Sequence, residues 1–360
     1  MKKQFAFPFG VTRIHAAGEK NPRVRKIRRK RKVLPGDEFE PERSVTFQLD
    51  RMHQAMQALL AAFRNETHLF RVVSIAYAPQ HNHRPKTVAK GSSEHLVFLF
   101  LATLIIYRSV SDEGFKQAVR LYDRHPWLFS KEILSKTLVH VIEAMREIGF
   151  IHPWEAARSW YGTAQTLFRD YGGDTLHLLR GIVSVDDFIA LKKRGKNNLF
   201  PGYGPKLFSL LVLFYQELGV PEAFLVKEAF PVDLHVQRIF LSLELAEFNT
   251  RCIDAVTLAE YIRKKISALC EKEKWNVVEM SHALWFLGNR LCGNCQRISD
   301  IELRCPLYSL CGGAFVSEPY RLRGEWDKQY GRKQKGLSPN QKGFSFLPEV
   351  FGLKEKKSHI

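Results

Sequence analysis

Long apolar segments are missing from this sequence. The longest, Leu96–Tyr107, has twelve residues, whereas a helix needs about 20 to span a bilayer. The N-terminal Met-Lys-Lys is not followed by the apolar core of a signal peptide. We therefore expect no membrane association and an intracellular protein, located in the cytoplasm and nucleoid or, in a eukaryote, in the nucleus.

Acidic residues are scarce relative to basic ones. The chain has 37 Asp and Glu against 55 Lys and Arg, a formal net charge of +18, and Arg23 to Lys32 holds eight basic residues in ten. Such a charge on a folded protein indicates a polyanionic partner, most simply nucleic acid, with an acidic membrane surface as the weaker alternative. Residues 1–43 are predicted to be a disordered basic arm that binds nucleic acid, or else a solubilising or localisation tail.

Runs of alternating polar and apolar residues, typical of strands, are also missing. Apolar residues instead recur every three or four positions, as in helices with one buried face, and glycine or proline separates the segments. The sequence therefore predicts an all-α fold. A helix is expected from Leu49, then a loop over 79–93 in which Ser92 or Ser93 caps the next helix. The later predicted helices are 94–107, 111–122, 130–148, 154–171, 185–193, 206–218, 233–243, 255–272 and 278–286.

The most informative stretch is Phe-Pro-Gly-Tyr-Gly-Pro-Lys, from Phe200 to Lys206, which precedes an apolar helix. An apolar residue, a Pro-Gly-x-Gly turn and an apolar helix are the pattern of a helix-hairpin-helix. Gly202 and Gly204 permit a tight turn, and the free N–H groups that begin the next helix can bind a DNA phosphate. A plain loop between two core helices would have a similar sequence.

A second motif, Pro-Val-Asp-Leu-His-Val-Gln-Arg-Ile, begins at Pro231, and its Asp233 heads an apolar helix. Taken alone, Asp233 is a helix cap. Together with the hairpin, the motif makes residues 94–314 resemble the helix-hairpin-helix DNA glycosylases, the family of endonuclease III, adenine glycosylase and 8-oxoguanine glycosylase. The resemblance implies a two-lobed fold, in which the chain ends and a cysteine loop form one lobe, the central helices form the other, and the active site lies in the cleft between them.

The resemblance places Lys206 at the position of the family's nucleophilic lysine and Asp233 at that of its catalytic aspartate. A neutral lysine amine attacks C1′ of a flipped-out nucleotide, displaces the base and forms a Schiff base, from which β-elimination nicks the strand. The carboxylate stabilises the cationic sugar. Three alternatives stay open: a monofunctional glycosylase in which Asp233 activates water, a non-catalytic DNA-binding module, and action on RNA or a free nucleoside.

Two features depart from the family pattern. The 27 residues from Lys206 to Asp233 exceed the usual spacing, and the extra length lies around 218–229, where we expect a lengthened loop. Pro205 directly precedes Lys206, which is acceptable in a first helical turn.

Cysteine is rare, with six residues in 360, which excludes a disulfide scaffold. Four of the six have the spacing C-x2-C-x9-C-x5-C, which predicts a metal site that holds either zinc or an iron–sulfur cluster. The endonuclease III group has C-x6-C-x2-C-x5-C at this place, so the resemblance favours a [4Fe–4S] cluster, with zinc as the alternative. The implied ligands are Cys292, Cys295, Cys305 and Cys311.

The predicted organisation has five parts. They are the basic arm over 1–43, a helical extension and loop over 44–93, a glycosylase core over 94–290 with its hairpin at about 191–218, a four-cysteine loop over 291–314 and a basic tail over 315–360. The expected partner is double-stranded DNA that contains a damaged or modified base, and the protein is expected to be a monomer.

The expected DNA contacts come from the hairpin and from basic residues near the cysteines: Gly202, Tyr203, Gly204, Pro205, His235, Arg290, Arg297 and Arg304. Tyr203 lies beside the DNA strand or packs within the hairpin, and His235 is structural or contacts the DNA backbone. Gln80, Arg108 and Ser109 face the flipped base or are ordinary surface residues.

Overall fold

The computed structural model describes residues 45–105, 111–194, 198–248, 255–292, 295, 298 and 300–311. All of them belong to one compact unit, Glu40–Ile360. The predicted arm over 1–43 and tail over 315–360 lie outside the described residues, as do Arg108, Ser109 and Arg297.

The described chain is mostly helical with almost no strand, in agreement with the all-α prediction. The helices are α1 (Leu49–Arg64), α2 (Pro79–Asn82), α3 (Ser93–Ala102), α4 (Ser111–Arg124), α5 (Leu138–Ile148), α6 (Pro153–Asp170), α7 (Thr175–Leu179), α8 (Val185–Lys192), α9 (Pro205–Glu217), α10 (Pro221–Phe224), α11 (Leu234–Ser242), α12 (Ala255–Glu273), α13 (Val277–Phe286), α14 (Ile301–Arg304) and α15 (Tyr308–Cys311). A π-helical turn, Leu287–Leu291, continues α13. None of the helices in the described ranges is long and apolar enough to cross a membrane.

Two hydrophobic clusters make up the core. One contains buried residues from Leu96 to Ala229, and its helices include α3, α6 and the pair α8 and α9. The other joins the two ends of the described chain, because it combines residues 45–70 with residues 230–307. The segment over 44–93, predicted as an extension, therefore contributes α1 to the second cluster.

Several predictions about secondary structure were wrong. The loop predicted over 79–93 begins with a short helix, α2. The helix predicted over 130–148 is broken into a 3₁₀ helix, Lys131–Ser135, and α5. Lys136 and Thr137 between them are extended, and the Thr137 N–H donates to Nδ1 of His140 at 3.2 Å, which begins a new helix.

Strands were not expected, yet Val45–Phe47 (β1) pairs antiparallel with Ala246–Phe248 (β2). The two strands have three residues each, too few to produce a visible alternation in the sequence. Their pairing ties the start of α1 to the end of α11, within the second cluster.

The predicted cap of α3 is confirmed. Ser92 is its N-cap, and the hydroxyl accepts a hydrogen bond from the N–H of His95 at 3.2 Å. Most of α3 is buried, as its apolar sequence predicts.

Candidate active site

The hairpin consists of α8, a turn and α9, and an aromatic core holds the two helices together. The rings of Phe188 and Phe208 stack with centroids 3.8 Å apart, and Phe200 packs on Phe188. Tyr203 is fully buried and its hydroxyl donates to the carbonyl of Phe100. The Tyr203 side chain therefore packs within the fold, and the prediction that it contacts DNA is wrong for this side chain.

Neighbouring side chains fix the path of the hairpin turn. The hydroxyl of Thr163 donates to the carbonyl of Pro201 at 2.8 Å, and that of Thr166 donates to the carbonyl of Leu199. Lys192 Nζ donates to the carbonyl of Tyr203. Gly202 has φ +92°, which favours glycine. The turn is thus held from α6 on one side and from α8 on the other.

The start of α9 is available for an anion. Gly204 is the N-cap residue and offers no side-chain cap, and Pro205 occupies the first helical position. The N–H groups of the first turn have no partner within their own helix, and the helix dipole makes this end attractive to a phosphate. Lys206 lies in the same turn and its side chain is half-buried.

Asp233 begins α11. Its Oδ1 accepts a hydrogen bond from the N–H of Val236 at 3.0 Å, so the carboxylate caps the helix as the sequence predicts. This cap uses one of the two carboxylate oxygens and fixes the side chain in a half-buried position.

The charges of Lys206 and Asp233 both act on the imidazole of His235. Burial lowers the pKa of His235, the Asp233 carboxylate raises it, and the charges of Arg238 and Lys206 lower it. Both the hairpin lysine and the cap aspartate therefore lie near enough to act on one imidazole, although 27 residues separate them in the sequence.

His235 rests on the π-helical turn that follows α13. A Cβ placed on Gly288 would lie 2.5 Å from Cβ of His235, so only glycine leaves room for the ring at this position. Nδ1 of His235 is buried and has no hydrogen-bond partner among the described residues. The structure thus gives His235 a packing role, and its predicted contact with DNA stays a prediction.

Arg238 is a candidate site residue that the sequence reasoning missed. Its charge lowers the pKa of both His235 and Cys292, so the guanidinium lies within electrostatic range of the imidazole and of one cysteine. The one hint in the sequence is its place three residues after His235, on the same face of α11.

The four predicted cysteine ligands line one cavity: Cys292, Cys295, Cys305 and Cys311. The other walls are largely apolar and come from α11, the π-helical turn and the segment that ends at Tyr308. Burial raises the pKa of Cys292 well above its usual range and that of Cys305 to about 12. Thiols in such surroundings stay protonated unless a cation compensates the thiolate charge.

Within the described residues, no group of three or more His, Cys, Asp or Glu side chains has the geometry to hold a single metal ion. Four thiolates can hold either a tetrahedral zinc ion or a [4Fe–4S] cluster. The donor set fits the predicted iron–sulfur group in number and in chemistry.

The remaining predicted contacts have different surroundings. Arg290 is half-buried; burial lowers its pKa and the charge of Asp112 raises it. Arg304 is exposed, and its Nε donates to Asp300 at 2.8 Å. Gln80 is buried and donates to Glu217, so it does not face a base or the surface.

The lengthened segment over 218–229 is more ordered than the expected loop, because it contains α10. It follows the C-terminal end of α9, whereas Lys206 lies at the N-terminal end, about 16 Å away along the helix axis. The buried guanidinium of Arg263 donates to Glu228 and Asp186, which attaches this segment and the start of α8 to α12. The extra residues are therefore accommodated away from Lys206.

Comparison with known proteins gives no relative from which a role could be transferred. No protein-family model matches the chain, and no curated protein matches it.

Proposed function

We propose that this protein is a DNA glycosylase of base-excision repair that removes a damaged or modified base and cleaves the strand by β-elimination. The observation that carries the proposal is that Lys206, in the first turn of α9, and Asp233, the cap of α11, both act electrostatically on His235. An amine and a carboxylate that both act on one imidazole, next to a hairpin suited to bind phosphate, have the chemistry for attack at C1′ of a nucleotide.

Each residue has a defined role in this proposal. The uncapped start of α9 binds a backbone phosphate and brings the strand to Lys206. The Lys206 amine attacks C1′ of the extruded nucleotide, the bond from C1′ to the base breaks, and the base leaves. Asp233 stabilises the positive charge that develops on the sugar, because its carboxylate is anchored by the N–H of Val236.

The overall architecture and charge support the same function. The division of the core into one cluster from the chain ends and one from the central helices supports the two-lobed fold that the proposal requires. The net charge of +18 favours binding to a polyanion such as duplex DNA.

In the proposal, the four cysteines hold a [4Fe–4S] cluster with a structural role. The cluster supplies the positive charge that buried thiolates need. It would fix the segment from Cys292 to Cys311 against α11, the helix that Asp233 begins. Zinc is the alternative, since four thiolates also form a tetrahedral zinc site.

Borohydride trapping tests the enzymatic claim. Purified protein is incubated with duplexes that each carry one modified base, and base release, strand cleavage and covalent adduct are recorded. We expect an adduct with the wild type, and none with Lys206→Ala. Lys193→Ala, which removes an exposed lysine just after α8, serves as the matched control and should retain the adduct.

Two other outcomes of this experiment would change the proposed function. Base release without cleavage or adduct would identify a monofunctional glycosylase in which Asp233 activates water. Binding to DNA with no base release across the panel would reject catalysis and leave a DNA-binding module.

A further inference from the structure

Glu217, the last residue of α9, is a buried carboxylate whose two oxygens both accept hydrogen bonds. His282 Nε2 lies 2.5 Å from Oε1 and His81 Nε2 lies 2.7 Å from Oε2. Gln80 donates to both oxygens, at 3.0 and 3.2 Å. The side chain of Glu217 is only 3% exposed, and that of His282 is 5% exposed.

The carboxylate of Glu217 is ionised in this position. Burial raises its pKa, but the hydrogen bonds from His282, His81 and Gln80 outweigh burial and lower the pKa to about 2. A buried charge is stable only while its partners stay in place, and loss of one partner is strongly destabilising. Glu217 therefore ties together the helices that supply these partners.

Those helices belong to different parts of the core. Helix α9 packs in the central hydrophobic cluster, whereas α13, which carries His282, packs in the cluster formed by the chain ends. His81 lies on the short α2. The bond between Glu217 and His282 thus joins the two clusters directly through buried side chains.

Both joined helices lead to the candidate active site. Helix α9 begins with Lys206 in its first turn. Helix α13 continues into the π-helical turn, where Gly288 contacts His235, two residues after Asp233. A shift between α9 and α13 would move the amine relative to the carboxylate, because Lys206 lies on α9 and Asp233 begins the helix that packs on the turn after α13.

We propose that Glu217 is a positioning residue that, through His282, sets the separation between the Lys206 amine and the Asp233 carboxylate. This inference rests on the proposed function for its catalytic meaning, while the geometric claim stands on its own. Since α2 carries neither reacting group, the bond from His81 to the same carboxylate does not serve this purpose.

The test uses two matched substitutions, His282→Gln and His81→Gln, in the full-length protein. Each removes one imidazole from the same carboxylate, but only the first releases α13. Single-turnover base release and DNA affinity are measured for both. We expect His282→Gln to slow release by roughly 10- to 100-fold, as small misplacements of reacting groups do, with DNA affinity within about 2-fold. His81→Gln should release the base at nearly the wild-type rate.

A second readout does not depend on activity. His235 senses both Lys206 and Asp233, so its titration, followed by NMR, reports their positions. We expect the titration of His235 to move in His282→Gln and to stay in place in His81→Gln. A merely structural role would predict similar effects from both substitutions, or from neither, and either result would overturn the proposal.

The two hypotheses can fail separately. If the wild type releases no base but His235 responds only to His282→Gln, the proposed function falls and the positioning role stands. If the wild type is active and both variants match it in rate and in His235 titration, the positioning role falls. Should His282→Gln fail to fold, Glu217→Gln, which keeps the shape of the side chain but weakens both bonds, takes its place, with Glu222→Gln on α10 as its control. A His235 titration and a rate of base release that match the wild type in Glu217→Gln would overturn the proposal.

Discussion

Gly288 and His235 are in such close contact that a Cβ on Gly288 would lie 2.5 Å from Cβ of His235. The glycine belongs to the turn that follows α13, and the histidine belongs to the first turn of α11. Through this contact, the π-helical turn after α13 supports α11, the helix that Asp233 caps.

Gly288→Ala should destabilise the protein and slow base release, because either α11 or the π-helical turn has to move. Overpacking of this kind typically lowers the free energy of unfolding by about 1–3 kcal/mol. Urea unfolding and single-turnover assays measure the two effects. Gly181→Ala is the control, since a Cβ there meets nothing within 4 Å. Equal stability of the two variants would contradict the contact.

Asp233→Asn should separate the role of this residue as a helix cap from its proposed catalytic role as a carboxylate. Asparagine caps helices about as well as aspartate, so we expect the free energy of unfolding to fall by less than about 1 kcal/mol, the typical contribution of a charge at a helix end. Base release should fall by roughly 100-fold or more, because the charge that stabilises the sugar is gone.

Asp174→Asn is the matched control for the cap. Asp174 accepts hydrogen bonds from the N–H groups of Leu176 and His177 at the start of α7. This variant should show a similar change in stability and full activity. Wild-type activity in Asp233→Asn would rule out a catalytic role for the carboxylate.

Gly202→Ala should impair the hairpin for two reasons. The residue has φ +92°, and an added Cβ would lie 2.8 Å from Cβ of Ser159. Gly149→Ala isolates the effect of the positive φ, because Gly149 has φ +88° and an added Cβ there would meet nothing within 4 Å. We expect Gly149→Ala to lower the free energy of unfolding by about 1 kcal/mol, and Gly202→Ala to lower it by about 1–3 kcal/mol more. Only Gly202→Ala should also weaken DNA binding. Thermal unfolding and fluorescence anisotropy with labelled duplex measure both effects.

His95 should make the stability fall in mild acid. Its Nδ1 accepts a hydrogen bond from the N–H of Gly91, its Nε2 is buried without a partner among the described residues, and burial lowers its pKa from 6.5 to about 4, with smaller contributions from Arg84, Lys90 and His81. The unfolded chain therefore binds a proton between pH 6.5 and 4 that the folded chain does not.

The stability that depends on His95 is thus fully present above pH 6.5 and decreases as the pH falls toward 4, by at most about 1.4 kcal/mol per pH unit. Urea unfolding at intervals across this range measures the slope. His95→Gln should remove most of this dependence. An unchanged slope in the variant would show that other groups are responsible.

Cys305→Ser should abolish the metal cofactor. We expect purified wild-type protein to show broad visible absorbance and to contain iron, and the variant to lose both, because Cys305 lines the cysteine cavity. Cys270→Ala is the control, since Cys270 is buried on α12 away from that cavity. A colourless wild type with stoichiometric zinc would identify the alternative metal, and a metal-free protein would refute the site.

Local sequence determined most of the helices and their ends. Apolar spacing gave α6, α9 and α12 within a few residues, since a helix with one buried face leaves a periodic pattern that needs no knowledge of its partner. The sequence also predicted that Ser92 caps α3 and that Asp233 caps α11, because a cap is a contact between near neighbours in the chain.

Contacts between segments that are distant in the chain could not be predicted from the sequence. The pairing of Val45 with Phe248 joins strands about 200 residues apart, and the break near Lys136 arises within a stretch that is apolar enough for one helix. The burial of Tyr203 against Phe100 was left open by the sequence, because an aromatic residue in a turn suits both a core and a surface.

The sequence by itself thus determined an all-α chain of high positive charge with a Pro-Gly-Tyr-Gly turn, an aspartate that begins a helix and four clustered cysteines. Only the tertiary structure decided that the charges of Lys206 and Asp233 both act on His235, and that Glu217 joins α9 to α13 through His282. The physical reason is that spacing along a chain encodes hydrogen bonds between near neighbours, whereas the approach of two helices depends on how all their buried faces pack together.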